Sequence, residues 1–217
     1  SAYFCQVKDK TGKIIYRLPN HHFDIKATSP GRGTIVLLGG VIDYGEINRN
    51  LFWIRPNYVD TVYSTSDWTD VRPYYIIQRN NRAADYAWSV RMKVGDITRE
   101  DAEREQLCNV YALKSGLLFN YLFNPKQQGA GFCPANGKSK TISRLFKNDI
   151  DSYCPSIDLW QAIAYKTLYQ KEDYLYLLID AFKFFEEGAK SPFPDLTEES
   201  NPVLVKLKLK NGKRRYV

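Results

Sequence analysis

The longest stretch with a helical signature, residues 97–123, constrains the fold more than any other segment. Thr98 is followed three residues later by Asp101, a spacing at which the two residues can cap the first turn of a helix. Glu100 and Glu103 add negative charge where the helix dipole is positive. Pro125 ends the pattern, so the stretch predicts a buried core helix. Its apolar residues recur mostly at intervals of three and four: Leu107, Val110, Tyr111, Leu117, Leu118, Tyr121 and Leu122.

The segments around this helix predict an α+β fold. Two further helices are expected at residues 159–169 and 172–187, and a hairpin at residues 203–210 and 213–217 around Asn211-Gly212. We therefore predict one domain over residues 1–217, with a β-rich part (1–95), a helical part (96–190) and a terminal hairpin (202–217). Its antiparallel sheet, built from the N-terminal half and that hairpin, would pack against about three helices. The predicted N-terminal strands are residues 3–8, 13–18, 34–38, 41–44, 51–55, 58–64 and 74–79.

The formal net charge of +7 is concentrated at the end of the chain. Residues 202–217 contain six lysines and arginines and no acid, while the remainder holds 25 basic and 24 acidic residues. We expect this basic segment to form a solvated edge strand or to pair with acidic residues 172–199. Nucleic-acid binding through the basic C-terminal hairpin, from Lys206 to Arg215, is the alternative.

The four cysteines predict a disulfide rather than a metal site. None of them has the C-x-x-C spacing of a zinc site, and the sequence implies neither a metal nor a cofactor. Cys133 and Cys154 each precede a proline and bracket a polar loop, which favours a bridge between them. Such a bridge predicts a secreted or periplasmic protein, with a cytoplasmic one as the alternative. The sequence also contains no apolar run of the roughly 18–20 residues that a membrane-spanning helix needs.

Aromatic and arginine residues are unusually dense between positions 51 and 88. Tyr, Trp and Arg bury large areas at interfaces while keeping a polar group available, so this density favours a surface for a protein partner. On the alternative interpretation, about half of these residues are core, on one face of alternating strands. The predicted binding residues are Trp53, Arg55, Tyr58, Trp68, Arg72, Tyr74, Arg79 and Arg82.

A second set of residues points to an enzyme. Arg17, the triplet Ser64-Thr65-Ser66 and the pair Glu103 and Glu105 occur in the order seen in bacterial ADP-ribosyltransferase toxins, which the chain resembles at these positions. The resemblance implies that the arginine helps to hold the nicotinamide dinucleotide and that the triplet supports the pocket. It implies that the last glutamate, Glu105, assists ribosyl transfer on a strand or its preceding loop. Helix capping is the competing explanation for both glutamates.

These observations favour a non-catalytic binding protein that engages a protein partner through the aromatic and arginine-rich region. The ADP-ribosyltransferase and the nucleic-acid-binding protein remain as alternatives, and each makes its own experimental forecast.

Overall fold

The computed structural model describes residues 3–19, 42–85, 87–89, 91, 98–123, 127–135, 137, 140–142, 145–146, 157–164, 167–186 and 193–208. Most of these residues are in β-strands and the helices are short, so the predicted packing of a sheet against about three helices is wrong. The predicted strand at residues 34–38 lies outside the described residues. The helices with defined bounds are α1 Leu159–Ala164 and α2 Lys183–Glu186, and residues 87–89 and 91 are also helical. The strands are β1 Tyr3–Lys8, β2 Ile14–Pro19, β3 Ile42–Asn48, β4 Leu51–Pro56, β5 Thr61–Thr65, β6 Arg72–Ile76, β7 Glu105–Leu113, β8 Gly116–Phe123, β9 Gln127–Pro134, β10 Lys140–Ile142, β11 Leu145–Phe146, β12 Ile157–Asp158, β13 Tyr169–Lys171, β14 Tyr174–Ile179 and β15 Val203–Lys208.

The N-terminal hairpin is confirmed, with β1 antiparallel to β2. Asp9 organises its turn, because one carboxylate oxygen accepts hydrogen bonds from the backbone N–H groups of Thr11 (2.8 Å) and Lys13 (3.0 Å). Gly12 has a φ of +86°, a conformation that glycine adopts without steric cost. An Asp-x-x-Gly turn between two strand-like runs is therefore enough to specify this element.

The stretch predicted to be the core helix is instead the β7–β8 hairpin. Thr98 and Asp101 do form the predicted reciprocal cap, with each backbone N–H bonded to the other side chain at 3.1 Å. The cap, however, closes only the 3-10 turn Asp101–Glu103, after which the chain is extended. Lys114 and Ser115 then form a two-residue turn between the paired residues Leu113 and Gly116.

Burial on both faces of β7 explains why the spacing of its apolar residues did not distinguish a strand from a helix. Strands that are covered on both sides carry continuous apolar runs, and such a run resembles a buried helix. Residues 108–113 are all buried. Gly116 is also required at the turn, because a β-carbon there would lie 2.1 Å from the Cys133 carbonyl oxygen.

Three sheets form the body of the described structure, and β7 to β10 make the central one. One four-stranded sheet has the order β3-β4-β5-β6, the central sheet has the order β10-β9-β8-β7, and a third has the order β13-β14-β15. On one face of the central sheet, Val110, Ala112 and Leu117 pack against Ile47, Trp53 and Val62 of the first sheet. On the other face, a larger core includes α1, α2 and the inner side of β13–β15.

The helix predicted at residues 172–187 is also wrong, because most of this segment is strand β14. Leu175, Leu177 and Ile179 point into the core, and the residues between them point outward. The helix predicted at residues 159–169 exists only as α1, and the chain then enters β13. Strand β15 pairs with β14, while the predicted second arm of a terminal hairpin lies outside the described residues. Within the described ranges, no helix has the length and apolar character to span a membrane.

Candidate binding groove

A groove of about 830 Å³ separates the end of β6 and the segment after it from one face of the central sheet. This volume falls in the range of ligand-binding clefts. One wall is residues 75–80, and the floor is formed by side chains of β7, β8 and β9. The floor residues are Leu107, Val110, Leu117, Phe119, Tyr121 and Cys133.

Two aromatic rings of this floor lie opposite glycines on the facing strand. Phe119 is paired with Gly131, and Tyr121 with Gly129. A β-carbon at position 131 would come within 2.3 Å of the Phe119 ring, and one at position 129 within 2.4 Å of the Tyr121 ring. The rings therefore lie across β9, with their centroids 6.3 Å apart. We call these two rings, which are tilted by 45° to each other, the aromatic platform.

Polar groups mark one end of the groove. The Glu105 carboxylate accepts a hydrogen bond of 3.0 Å from the Asn80 side-chain amide. Arg79 forms an ion pair with Asp60 and donates a 2.6 Å hydrogen bond to the Ala84 carbonyl. Because Arg79 is held by these partners, the carboxylate of Glu105 is the group at this end best placed to meet a ligand.

The other end is bounded by Tyr75 and Cys133. The Tyr75 hydroxyl donates to the Leu113 carbonyl (3.0 Å), and burial raises the pKa of this phenol. The Cys133 sulfur lies 3.4 Å from the Gly137 carbonyl oxygen. Cys154 lies outside the described residues, so the predicted Cys133–Cys154 disulfide stays a prediction.

Comparison with known proteins identifies no relative. The chain matches no protein-family model, and no curated protein or solved structure matches it at a significant level. Function must therefore be argued from the site alone.

Two of the predicted binding residues are buried, which corrects their place on a partner surface. Trp53 is 1% exposed and donates its ring N–H to the Gln170 side chain (3.1 Å). Arg55 is fully buried, and its guanidinium pairs with Asp43 at 3.1 Å. Burial lowers the pKa of Arg55, and the charge of Asp43 opposes that shift. Both residues belong to the core between the first sheet and the central sheet.

The remaining predicted binding residues are dispersed. Trp68 lies in the loop after β5 and packs on Tyr16 of the N-terminal hairpin, with centroids 6.1 Å apart. Arg72 is exposed and paired with Asp70, and Arg82 is exposed. Half-buried Tyr58 accepts a 3.3 Å hydrogen bond from Gln106.

Tyr74 and Arg79 lie nearest the groove. The Tyr74 ring packs edge-on against Tyr75 at 4.6 Å, and Arg79 is part of the groove wall. The part of the predicted binding surface that lies beside the groove therefore consists of Tyr74 and Arg79.

The residues that resemble those of ADP-ribosyltransferases lie in different elements and contact different neighbouring side chains. Arg17 is on β2 and stacks over the Tyr3 ring at 5.2 Å. Ser64 and Thr65 end β5, followed by exposed Ser66, and the Thr65 hydroxyl accepts from the Trp68 N–H. Glu103 is in the 3-10 turn, while Glu105 is the first residue of β7 and lines the groove.

The aromatic platform was missed by sequence reasoning. The sequence signal for this platform is a pair of three-residue patterns that lie opposite each other on β8 and β9. They are Phe-Asn-Tyr at residues 119–121 and Gly-Ala-Gly at residues 129–131. This signal is readable only once β8 and β9 are recognised as paired strands, and the predicted helix over residues 97–123 conceals it. Across the described part of the chain, no group of three or more His, Cys, Asp or Glu residues is arranged to hold a metal ion.

Proposed function

We propose that the chain is a non-catalytic binding protein that holds an extended segment of a protein partner in the groove. The observation that carries the proposal is the aromatic platform of Phe119 and Tyr121 beside an edge strand. Aromatic side chains supply large contact areas at low entropic cost, which is why they dominate protein interfaces.

The edge strand favours an extended partner. Among the described residues, β6 pairs with β5 on one side only, and it contains Pro73, a residue typical of sheet edges. The Ile76 side chain at its end is 77% exposed. A peptide lying along β6 would use the free backbone groups of the edge, and its alternate side chains would reach the platform.

The polar end of the groove favours a positively charged or amide side chain in that peptide. Glu105 is partly buried and, among the described residues, accepts one side-chain hydrogen bond, from Asn80, through one of its two carboxylate oxygens. A carboxylate has about four acceptor sites, so Glu105 retains capacity for a donor from a ligand.

The test is selection of peptides from a random-sequence library against the whole chain, followed by affinity measurement of the selected peptides. Replacing Tyr121 with Ala should weaken binding at least about tenfold, the loss typical of an aromatic interface residue. Tyr44→Ala is the matched control, because Tyr44 is 72% exposed on β3 and is not a lining residue of the groove. Equal affinities for the two variants, both folded, would place the partner surface elsewhere.

A second candidate function is ADP-ribosyl transfer. The observation in its favour is that Glu105 is on a strand, as the resemblance requires, and not in the capped helix that offered the competing explanation. Its forecast is NAD turnover that depends on Glu105.

Export to an oxidising compartment is a further part of the proposal. It depends on the predicted bridge between Cys133 and Cys154, which would appear as a cross-linked peptide in a non-reduced digest. Recovery of both cysteines as free thiols from protein purified without reductant would remove the argument for export.

A further inference from the structure

The outer face of the β13–β14–β15 sheet combines tyrosines with lysines and carries no acid. Alternation places the inward residues of these strands in the core, as shown for Leu175 and Leu177, and leaves eight side chains pointing outward. The outward residues are Tyr169, Lys171, Tyr174, Tyr176, Leu178, Leu204, Lys206 and Lys208.

The three tyrosine rings form a row across the strands. Tyr169 faces Tyr176 on the neighbouring strand, with centroids 6.3 Å apart, and Tyr174 lies 6.5 Å from Tyr176 along β14. Tyr169 is 62% exposed, and Tyr174 and Tyr176 are partly buried. Because Lys206 lies over the Tyr174 ring, Tyr169 offers the most open ring face of the three.

The lysines are held beside these rings. Lys206 lies 3.8 Å from the centroid of Tyr174, and Lys208 lies 5.5 Å from the same ring. Of the two acids in the adjoining β13–β14 turn, Asp173 is turned toward the central sheet, where it accepts from the Ser115 N–H at 2.9 Å. Glu172, exposed in this turn, lies outside the three strands.

We propose that this tyrosine–lysine face binds single-stranded nucleic acid, independently of the groove. Exposed aromatic rings stack on unpaired bases, and cations next to them neutralise the phosphates, which is the combination used by sheet surfaces that bind single strands. Lys171, Lys206 and Lys208 give the face a positive charge, which complements a polyanion and opposes a basic ligand.

Stacking distinguishes a single strand from other polyanions. Paired bases in a duplex are not available to the tyrosine rings, so double-stranded DNA would engage the lysines alone. A lipid surface would use the lysines together with Leu178 and Leu204, and would not compete with free bases. Dependence of binding on the tyrosine rings therefore distinguishes a single strand from duplex DNA and from a lipid surface.

The experiment is fluorescence anisotropy with the full chain and a labelled oligothymidylate of about 16 nucleotides. Three phosphate contacts predict a slope of log affinity against log salt of about −2, or roughly a 20-fold loss between about 50 and 200 mM salt. Replacing Lys171, Lys206 and Lys208 with Ala should flatten that slope. Replacing Tyr169 and Tyr176 with Leu should weaken binding about tenfold or more, whereas Tyr→Phe at both positions should preserve it.

Two controls separate this proposal from the groove. Tyr44→Ala removes an exposed tyrosine from another sheet, and Tyr121→Ala removes the groove platform, so both should bind the oligonucleotide as the wild type does. Binding of duplex and single strand with equal affinity would overturn the proposal, as would an unchanged affinity of the Leu variants. Adsorption to phosphatidylserine vesicles that excess oligothymidylate does not displace, without oligonucleotide binding, would assign the face to a membrane surface instead.

Discussion

The ring of Phe119 packs against Gly131 so closely that a β-carbon on residue 131 would stand 2.3 Å from the ring. The two residues face each other across β8 and β9. The glycine therefore has a steric role: it makes room for the ring that forms the groove floor.

Gly131→Ala should destabilise the protein by about 1–3 kcal/mol, because Phe119 or the backbone must move to admit the methyl group. Gly137→Ala is the control, since a β-carbon there would meet its nearest atom, in Pro134, at 3.5 Å, an ordinary contact. Urea unfolding of both variants measures the difference. A similar loss in the two would mean that the platform is not tightly packed on β9.

Sequence motifs predicted the local structure correctly where a side chain bonds to the backbone of its own turn. The Asp9 turn of the N-terminal hairpin and the Thr98–Asp101 cap both exist as expected. The prediction of a long helix after this cap was wrong, because the type of element there depends on what covers each face of the chain. Residues 108–113 are buried on both sides, and the periodicity of such a run does not distinguish a strand from a helix.

The candidate site was only partly predictable for the same reason. Composition identified aromatic and arginine density but did not separate core from surface, and Trp53 and Arg55 belong to the core. The helix predicted over residues 97–123 contains Phe119 and Tyr121, and in a helix these residues have no facing glycines on β9. Strand pairing had to be known before the platform or the outer face of β14 could be found.

Asp101 should contribute stability that disappears in acid. It is 3% exposed and accepts a 2.6 Å hydrogen bond from Arg91, which, with further bonds from Thr98, lowers its pKa below the ordinary value of 3.8. Because the folded pKa is lower than the unfolded one, the contribution is complete above pH 3.8 and is lost as the pH falls through the folded pKa.

Asp101→Asn should lower the free energy of unfolding near neutral pH by about 2 kcal/mol, the scale of a hydrogen bond to a charged group. Acid titration of stability in the variant should also lack the wild-type loss that begins near pH 3.8. Glu103→Gln, an exposed change in the same turn, should reproduce neither effect. An acid profile of Asp101→Asn that matches wild type would contradict the assigned ion pair.

The buried pair of Asp43 and Arg55 should be far more costly to break than an exposed one. Asp43→Ala leaves the Arg55 charge in the core and removes the acceptor of the Val110 N–H, so we expect a loss of about 3–5 kcal/mol. Asp70→Ala is the matched control, because its partner Arg72 is exposed, and no measurable change is expected there.

A double variant tests the cause of that loss. If the unpaired charge dominates, Asp43→Ala combined with Arg55→Leu should recover part of the stability that Asp43→Ala alone removes. Strictly additive losses in chemical denaturation would show that the two side chains act separately.

Cys108 should resist alkylation in the folded protein. Its side chain is fully buried, and burial raises the pKa of the thiol to about 12, so the reactive thiolate is scarce at neutral pH. Labelling with iodoacetamide followed by peptide mapping should modify Cys108 only after denaturation. Rapid labelling under native conditions would indicate that the β7–β8 hairpin opens easily.

Replacing Glu105 with Gln tests for catalysis, because the loss of this carboxylate should disturb the fold little. The Glu105 carboxylate accepts a hydrogen bond from Asn80, and a glutamine at this position can still accept it. A non-catalytic binding protein should turn over no NAD, and Glu105→Gln should leave folding and peptide affinity nearly unchanged. Turnover by the wild type that Glu105→Gln abolishes and Glu103→Gln retains would instead support the transferase, because only Glu105 lines the groove. High-performance liquid chromatography of nicotinamide release, with each variant at equal folded concentration, separates the two functions.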